Sequence, residues 1–348
     1  MAFRRSAVIL GASGIVAIVL GALVNPVAVP VVSKLPSNTD LTVHYSGTAS
    51  LVDQAAAAKG DLAGAMKSGV PLTLDRHIHV VSTSGNTAIV ADDQTLTITG
   101  LPPMPDDHLY AVDRTTVVAG PPPAGKTADP ASGIPIGWPV GPSAHHAYRY
   151  YDPTTQTSAA FTYTGKATIK GRGVLDFQST VPAAAVKDKV LLATLPATLP
   201  KSVAGALAPL LPKQTAALLT PQIMAALPDA IPLAYTATTT VQADADADVG
   251  LPLAQHLQQQ VILNVALPGL APVPLLPVLS TDLQLTAASQ QYLVNKANNA
   301  GFQLTVVKLV VPLVLIAIGL VLLVLAYLKR KPKVRPTSAE PPAALAEA

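Results

Sequence analysis

No cysteine occurs among the 348 residues. That excludes a disulfide framework, thiolate metal sites and a cysteine nucleophile, and it leaves any exported domain dependent on its hydrophobic core. Charge is scarce as well. Only 12% of residues are charged, 50% are hydrophobic, and the mean hydropathy is +0.42. This balance is too apolar for an ordinary soluble domain and points to membrane segments. A basic body is also missing, although the pI is near 9.0. Of 23 basic residues, Arg4 and Arg5 stand at the start, and Lys329, Arg330, Lys331, Lys333 and Arg335 stand in the tail, leaving 16 between. Of 20 acidic residues, only Glu340 and Glu347 lie in the tail, leaving 18. The basicity is therefore terminal. It excludes nucleic acid as an expected partner and reads as a topology signal.

Two long hydrophobic runs lie beside these charges. Residues 309–327 read LVVPLVLIAIGLVLLVLAY, 19 residues without a charge. As a helix they would extend about 28 Å, matching a hydrocarbon core of about 30 Å. Pro312 suits the first turn, Gly319 allows a close helix contact, and Tyr327 suits the interface. The first run, residues 7–24, follows Arg4 and Arg5, and apolar residues resume to Val32. It exceeds the roughly 7–15 residues of a signal-peptide core and lacks a clean small-x-small site, so an uncleaved anchor is expected. By the positive-inside rule both termini are cytoplasmic, in the plasma membrane. The expected organisation is a cytoplasmic N-tail (1–6), a first anchor (7–32), an external domain (33–305), a second anchor (306–328) and a disordered basic tail (329–348).

The external domain is expected to be mainly antiparallel β, barrel- or sandwich-like, with a helical insertion. Residues 77–100 are rich in Val, Ile and Thr, with a hairpin turn at Ser84-Gly85-Asn86. A strand is expected at 110–118, and the Pro/Gly-crowded segment 119–143 reads as loop. Residues 146–182 read as strand, Asp-Pro turn, strand, Gly-bearing turn, strand. Residues 235–243 and 255–266 read as a hairpin. Within 186–232, short Leu/Ala turns punctuated by proline predict the helical insertion. Leu207, Leu210, Leu211, Leu218, Leu219, Ile223, Met224 and Leu227 are too many large apolar groups for exposed turns. They pack on each other or contact a lipid. Residues 281–300 are polar and helix-competent, and a membrane-proximal helix is expected there.

Three stretches resemble the actinobacterial porin PorA family. They are HAYRYYDPTTQTSAAFTYTGKATIKGRGVLDFQSTVP (146–182), the hairpin at 235–266 around an acidic, glycine-bearing turn, and AASQQYLVNKANNAGFQLTVVKLVVPLVLIAIGL (287–320). The family label implies channel activity. The two-anchor architecture also resembles class B scavenger receptors by analogy, which implies a lipid tunnel.

Site chemistry is thin. His77 and His79 share a strand face, but no acidic residue lies at ligand spacing in the sequence, so they read as solvated or packed. His145-His146 reads likewise. Asp106, Asp107 and His108 read as surface. Asp244, Asp246 and Asp248 alternate, yet Gly250 and Gln255 occupy the wrong positions for a calcium loop. No catalytic residue, metal or cofactor is assigned, and an enzyme is not expected. The function expected is a cell-envelope membrane protein that binds or conducts lipids or other apolar molecules. A scaffold contacting other envelope proteins or itself, and a pore-forming oligomer, are the alternatives.

Overall fold

A computed structural model describes residues 5–53, 62–201, 220, 222, 228–265 and 272–330. The chain forms two compact units, one of residues 1–32 with 302–348 and one of residues 33–301.

The first unit is helical. Helix α1 (Arg5–Leu23) continues through a π-helical turn, Val24–Ala28, into α2 (Val29–Val32). The π turn contains Pro26, which lacks the N–H that a regular helix needs. Both apolar helical stretches, Ser6–Val32 and the one ending at Leu328, are long and apolar enough to cross a membrane. Only 17% of each is buried, so neither is the core helix of a soluble protein.

The second unit is a sheet. Strands β1 (Asp40–Val52), β2 (Met66–Ser84), β3 (Thr87–Ile98) and β4 (Met104–Asp113) follow one another, with a four-residue helix α3 (Leu62–Ala65) before β2. Then come β5 (Arg149–Asp152), β6 (Thr157–Ala160), β7 (Thr162–Ile169) and β8 (Arg172–Ala185). Helix α4 (Lys189–Thr194) and β9 (Thr198–Pro200) lead to β10 (Ala230–Asp246), β11 (Pro252–Val265) and β12 (Val273–Leu285). Helix α5 (Ala287–Thr305) passes through a second π turn, Val306–Val310, into α6 (Val311–Leu328). Pro312 sits in the first turn of α6, as its sequence position predicts.

The large sheet runs β4-β3-β2-β1-β12-β11-β10-β8-β7, every pair antiparallel, with β9 added on β10 and β5-β6 apart as a hairpin. First and last strands meet at its centre, Tyr45 opposite Leu285 and Gly47 opposite Leu283. Gly47 is required there, because a Cβ would overlap the Asp282 carbonyl oxygen. The alternation is clean in β10, where Tyr235, Ala237, Val241, Ala243 and Ala245 turn inward. Gly85 supplies the positive φ (57°) of the two-residue β2–β3 hairpin, as expected. The Asp152-Pro153 turn and the Lys170-Gly171 turn also fall where the sequence predicts them.

The sheet is open, which corrects the barrel or sandwich expectation: β4 and β7 end the order without pairing to each other. Register shifts at Ala49/Leu51, Val80/Ser82 and Ala237/Thr239 bend the strands. The Pro/Gly-rich segment after β4 cannot supply a ladder, since proline donates no hydrogen bond. Its side chains fill the hollow instead. Ile134, Trp138 and Tyr148 pack with Phe161, Phe177 and Val241, and Tyr151 packs with Ile78, Val90 and Tyr110. The only tryptophan and two of four phenylalanines thus converge, Trp138 lying 4.9 Å from Phe161 and 5.4 Å from Phe177 by ring centroids.

Two other expectations change. Of the helical insertion at 186–232, the described residues show α4, the short β9 and the start of β10. The polar helix begins at Ala287 rather than 281, because Thr281–Gln284 pairs with both β1 and β11, and Leu285 with β1. The strand expected at 110–118 is β4, which starts six residues earlier and ends at Asp113.

Candidate functional site

The inner face of the sheet carries a chain of cavities. One, of about 980 Å³, lies where β1 ends and β2 begins, at the opposite end of the sheet from Asp40 and Leu285. Leu51, Val70, Ile98, Leu101, Met104 and Leu279 line it from the strands and the β3–β4 loop. Val190, Leu191 and Leu195 line it from α4 and the residue after it. Its charges are few, and Lys67 is paired with Asp53 at 2.6 Å.

Helix α4 is placed there by Asp188. That carboxylate accepts from the backbone N–H of Val190 (2.7 Å) and Leu191 (3.1 Å), an N-cap for a six-residue helix. The backbone N–H groups of Lys187 and Asp188 donate to the Thr154 carbonyl, tying α4 to the β5–β6 hairpin.

Met104, Val190, Leu191 and Leu279 also line a second hollow of about 160 Å³, which carries three carboxylates. Asp106, Asp152, Asp188, Gln259 and Thr239 all face it. Burial raises the Asp152 carboxyl pKa, against hydrogen bonds from Thr155 and Thr154. Burial, with Asp106 nearby, raises that of Asp188. The His108 imidazole pKa is raised by its hydrogen bond to Asp106, and burial opposes the shift.

A third hollow of about 80 Å³ shares Leu74, Gln94, Tyr150, Pro153 and Leu257 with the second. At its wall the Arg76 guanidinium makes two 2.7 Å hydrogen bonds to Asp92 and donates to the Pro135 carbonyl at 3.2 Å. Asp92 is 2% exposed, so this pair is desolvated. Burial opposes the charge on Arg76, but the Asp92 carboxylate outweighs it and raises the guanidinium pKa. Tyr45 donates to Gln255 at 2.6 Å, and burial raises its hydroxyl pKa. The inner face therefore grades from an apolar mouth to a fixed polar end.

The residues singled out in the sequence fall elsewhere. Leu207, Leu210, Leu211, Leu218, Leu219, Ile223, Met224 and Leu227 lie outside the described residues, as do Arg4, Lys331, Lys333 and Arg335. Arg330 stacks over the Tyr327 ring at 3.7 Å, just beyond the end of α6, with Lys329 before it. His145 and His146 are exposed. Asp106 is on β4 and faces the second hollow rather than solvent alone. Asp246 is fully buried and held by Arg172 through two 2.7 Å hydrogen bonds, with Asp248 3.2 Å from the same guanidinium. Two of the three alternating aspartates are thus taken up by a partner more than 70 residues away, and Asp244 faces Asp176 instead. Sequence reasoning missed the cavity-lining Leu101 and Met104, whose only signal is an apolar LPPMP loop between two strands.

A concave antiparallel sheet with an apolar-mouthed cavity, in a chain with an apolar helix toward each end, defines a membrane protein with one β-domain. The chain belongs to the Porin PorA family, whose model matches residues 6–328. No curated protein matches it. One solved structure, from "Structural insights into dehydratase substrate selection for the borrelidin and fluvirucin polyketide synthases", is 12% identical over 68% of this chain and 72% of that chain. Its TM-score of 0.11 carries no argument about this fold.

Proposed function

We propose that this cell-envelope protein binds lipids or other apolar molecules in the cavity on the inner face of its β-domain. The observation that carries the reading is the 980 Å³ cavity lined mostly by apolar side chains, a volume at the upper end of small-molecule sites, beside a carboxylate-bearing hollow with which it shares Met104, Val190, Leu191 and Leu279. An amphipathic molecule suits that pairing, with its apolar part against Leu101, Met104 and Leu195 and its polar part toward Gln259 and Asp152.

The helices also support an orientation. A Cβ at Gly11 would lie 3.8 Å from Ala326 Cβ, and Gly14 approaches Gly319, so α1 and α6 are antiparallel. Residue 5 and Lys329 then share one end, and the positive-inside rule assigns both tails to the cytoplasm and the β-domain to the outside of the plasma membrane. The same contact favours an uncleaved α1, since removing it would strip Gly319 of its partner.

The test is lipid extraction and native mass spectrometry of gently purified full-length protein. Stoichiometric lipid in the parent, lost in Val190→Trp and Leu279→Asp, is the expected result. Lipid-free parent that also takes up no added lipid, or equal occupancy in both variants, would sink the reading. The family's name favours a pore-forming oligomer as a second reading. Planar-bilayer conductance tests it, and discrete channel currents from purified protein would make it the better one.

A further inference from the structure

The geometry points to a divalent transition-metal site on the outer face of the sheet, built from His77, His79 and Asp93. Sequence spacing hides it, because the carboxylate comes from the next strand. His77 on β2 stands directly opposite Asp93 on β3. His79, two residues on, projects from the same face. One nitrogen from each histidine and one Asp93 oxygen all lie within 4.8 Å of one another. The His77 Nδ1 is 3.6 Å and the His79 Nδ1 3.7 Å from Asp93 Oδ2. Tetrahedral ligands at about 2.0–2.1 Å from zinc stand about 3.3 Å apart, so both His–Asp93 distances are already close to those of a filled site.

Two further observations favour a ligand there. The His79 Nδ1 is buried and has no hydrogen-bond partner among the described residues. A buried nitrogen left so costs stability, and coordination would satisfy it. Meanwhile His77 Nε2 lies 3.1 Å from Asp40 Oδ1, on the neighbouring strand β1. With the proton on Nε2 donated to Asp40, the Nδ1 lone pair faces Asp93 and the metal. This is the carboxylate–histidine–metal arrangement that fixes ring and tautomer. The two rings already stack, 4.6 Å apart and 20° from parallel.

Two imidazoles and one carboxylate suit borderline ions such as Zn²⁺, Ni²⁺ or Cu²⁺, and not Ca²⁺ or Mg²⁺, which take oxygen ligands. Three protein ligands leave a position for water. The ion would also tie β2 to β3 and, through Asp40, to β1, in a chain with no cysteine to cross-link them.

The test uses full-length protein in detergent, stripped with chelator and titrated with Zn²⁺ by calorimetry and with Co²⁺ by its visible absorption. One saturable equivalent, not displaced by excess Ca²⁺, is expected. Affinity should fall more than about 100-fold in His79→Ala and Asp93→Asn, and about 10- to 100-fold in Asp40→Asn. The double variant His145→Ala/His146→Ala should bind as the parent does. Circular dichroism confirms folding, and His77→Gln replaces any variant that fails to fold. No saturable uptake by the parent, or uptake unchanged in the folded His79 and Asp93 variants, overturns the site.

Discussion

The helical pair and the sheet are held together by opposite means. Between α1 and α6 the contacts centre on glycines, against which backbone and the Ile18, Ile316 and Leu323 side chains of the opposite helix pack. Ala7, Gly14 and Gly21 are buried at seven-residue spacing on one helix, and Pro312 and Gly319 at the same spacing on the other. Lipid gives no hydrophobic drive to associate, so close backbone approach and van der Waals contact must supply it. In the sheet the opposite holds. Large aromatics fill the hollow, and the partly buried cations Arg76 and Arg172 are each matched to a buried aspartate. The lesson is that backbone proximity sets the helix pair, while the filling of a hollow by rings and paired charges sets the sheet core.

Three substitutions would break or sharpen that contrast. The largest effect is expected from Arg76→Leu, which leaves Asp92 buried and unpaired at a cost of about 3–5 kcal/mol. Denaturant unfolding of the β-domain would show it, while helix pairing stays intact. Next is Gly319→Leu. A Cβ there would sit 2.5 Å from Ile18 Cγ1 and 2.7 Å from the Gly14 carbonyl oxygen, so the pair should lose about 1–3 kcal/mol. Cross-linking reads this directly. The 3.8 Å between a Gly11 Cβ and Ala326 Cβ is the mean disulfide value, and the chain has no other cysteine. Gly11→Cys with Ala326→Cys should therefore oxidise readily, and adding Gly319→Leu should reduce the yield.

The smallest effect concerns like charges facing each other on the sheet. Asp244 stands opposite Asp176, and burial together with that neighbour pushes its pKa up to about 6. The folded state then binds a proton that the unfolded state has released between about pH 4 and 6. Stability should fall as pH rises through that window. Asp244→Asn should flatten the decline and add about 1–2 kcal/mol at neutral pH, after allowance for the carboxyl's partial exposure. A parent whose melting temperature is level from pH 4 to 7 would refute this.

Local order was readable from the residues, and distant pairing was not. The Asp152-Pro153 and Lys170-Gly171 turns and the β10–β11 hairpin follow from turn chemistry and period-two alternation. Gly319 was visible as a contact point, though its partner Gly14 was not. Nothing in the alternation of β1 says that it pairs with β12, or that Arg172 reaches Asp246. The cavity is less legible still, because its wall comes from an irregular loop, a six-residue helix and strand positions that any buried face would share. His77 and His79 were noticed, but Asp93 acquires meaning only through strand register.

The meeting of β1 and β12 has a mechanical consequence. The segments entering and leaving the sheet emerge side by side, next to the hydrogen bond from Thr286 N–H to the His44 carbonyl. A sideways tug applied to the sheet itself, at His44 and Thr286, would load that rung first and open the ladder one rung at a time, like a zip. Such a geometry yields at low force, since the bonds never share the load. The antiparallel joint of β1 and β12 therefore makes the centre of the sheet, and not its edges, the place where force on the two ends of the sheet is first felt.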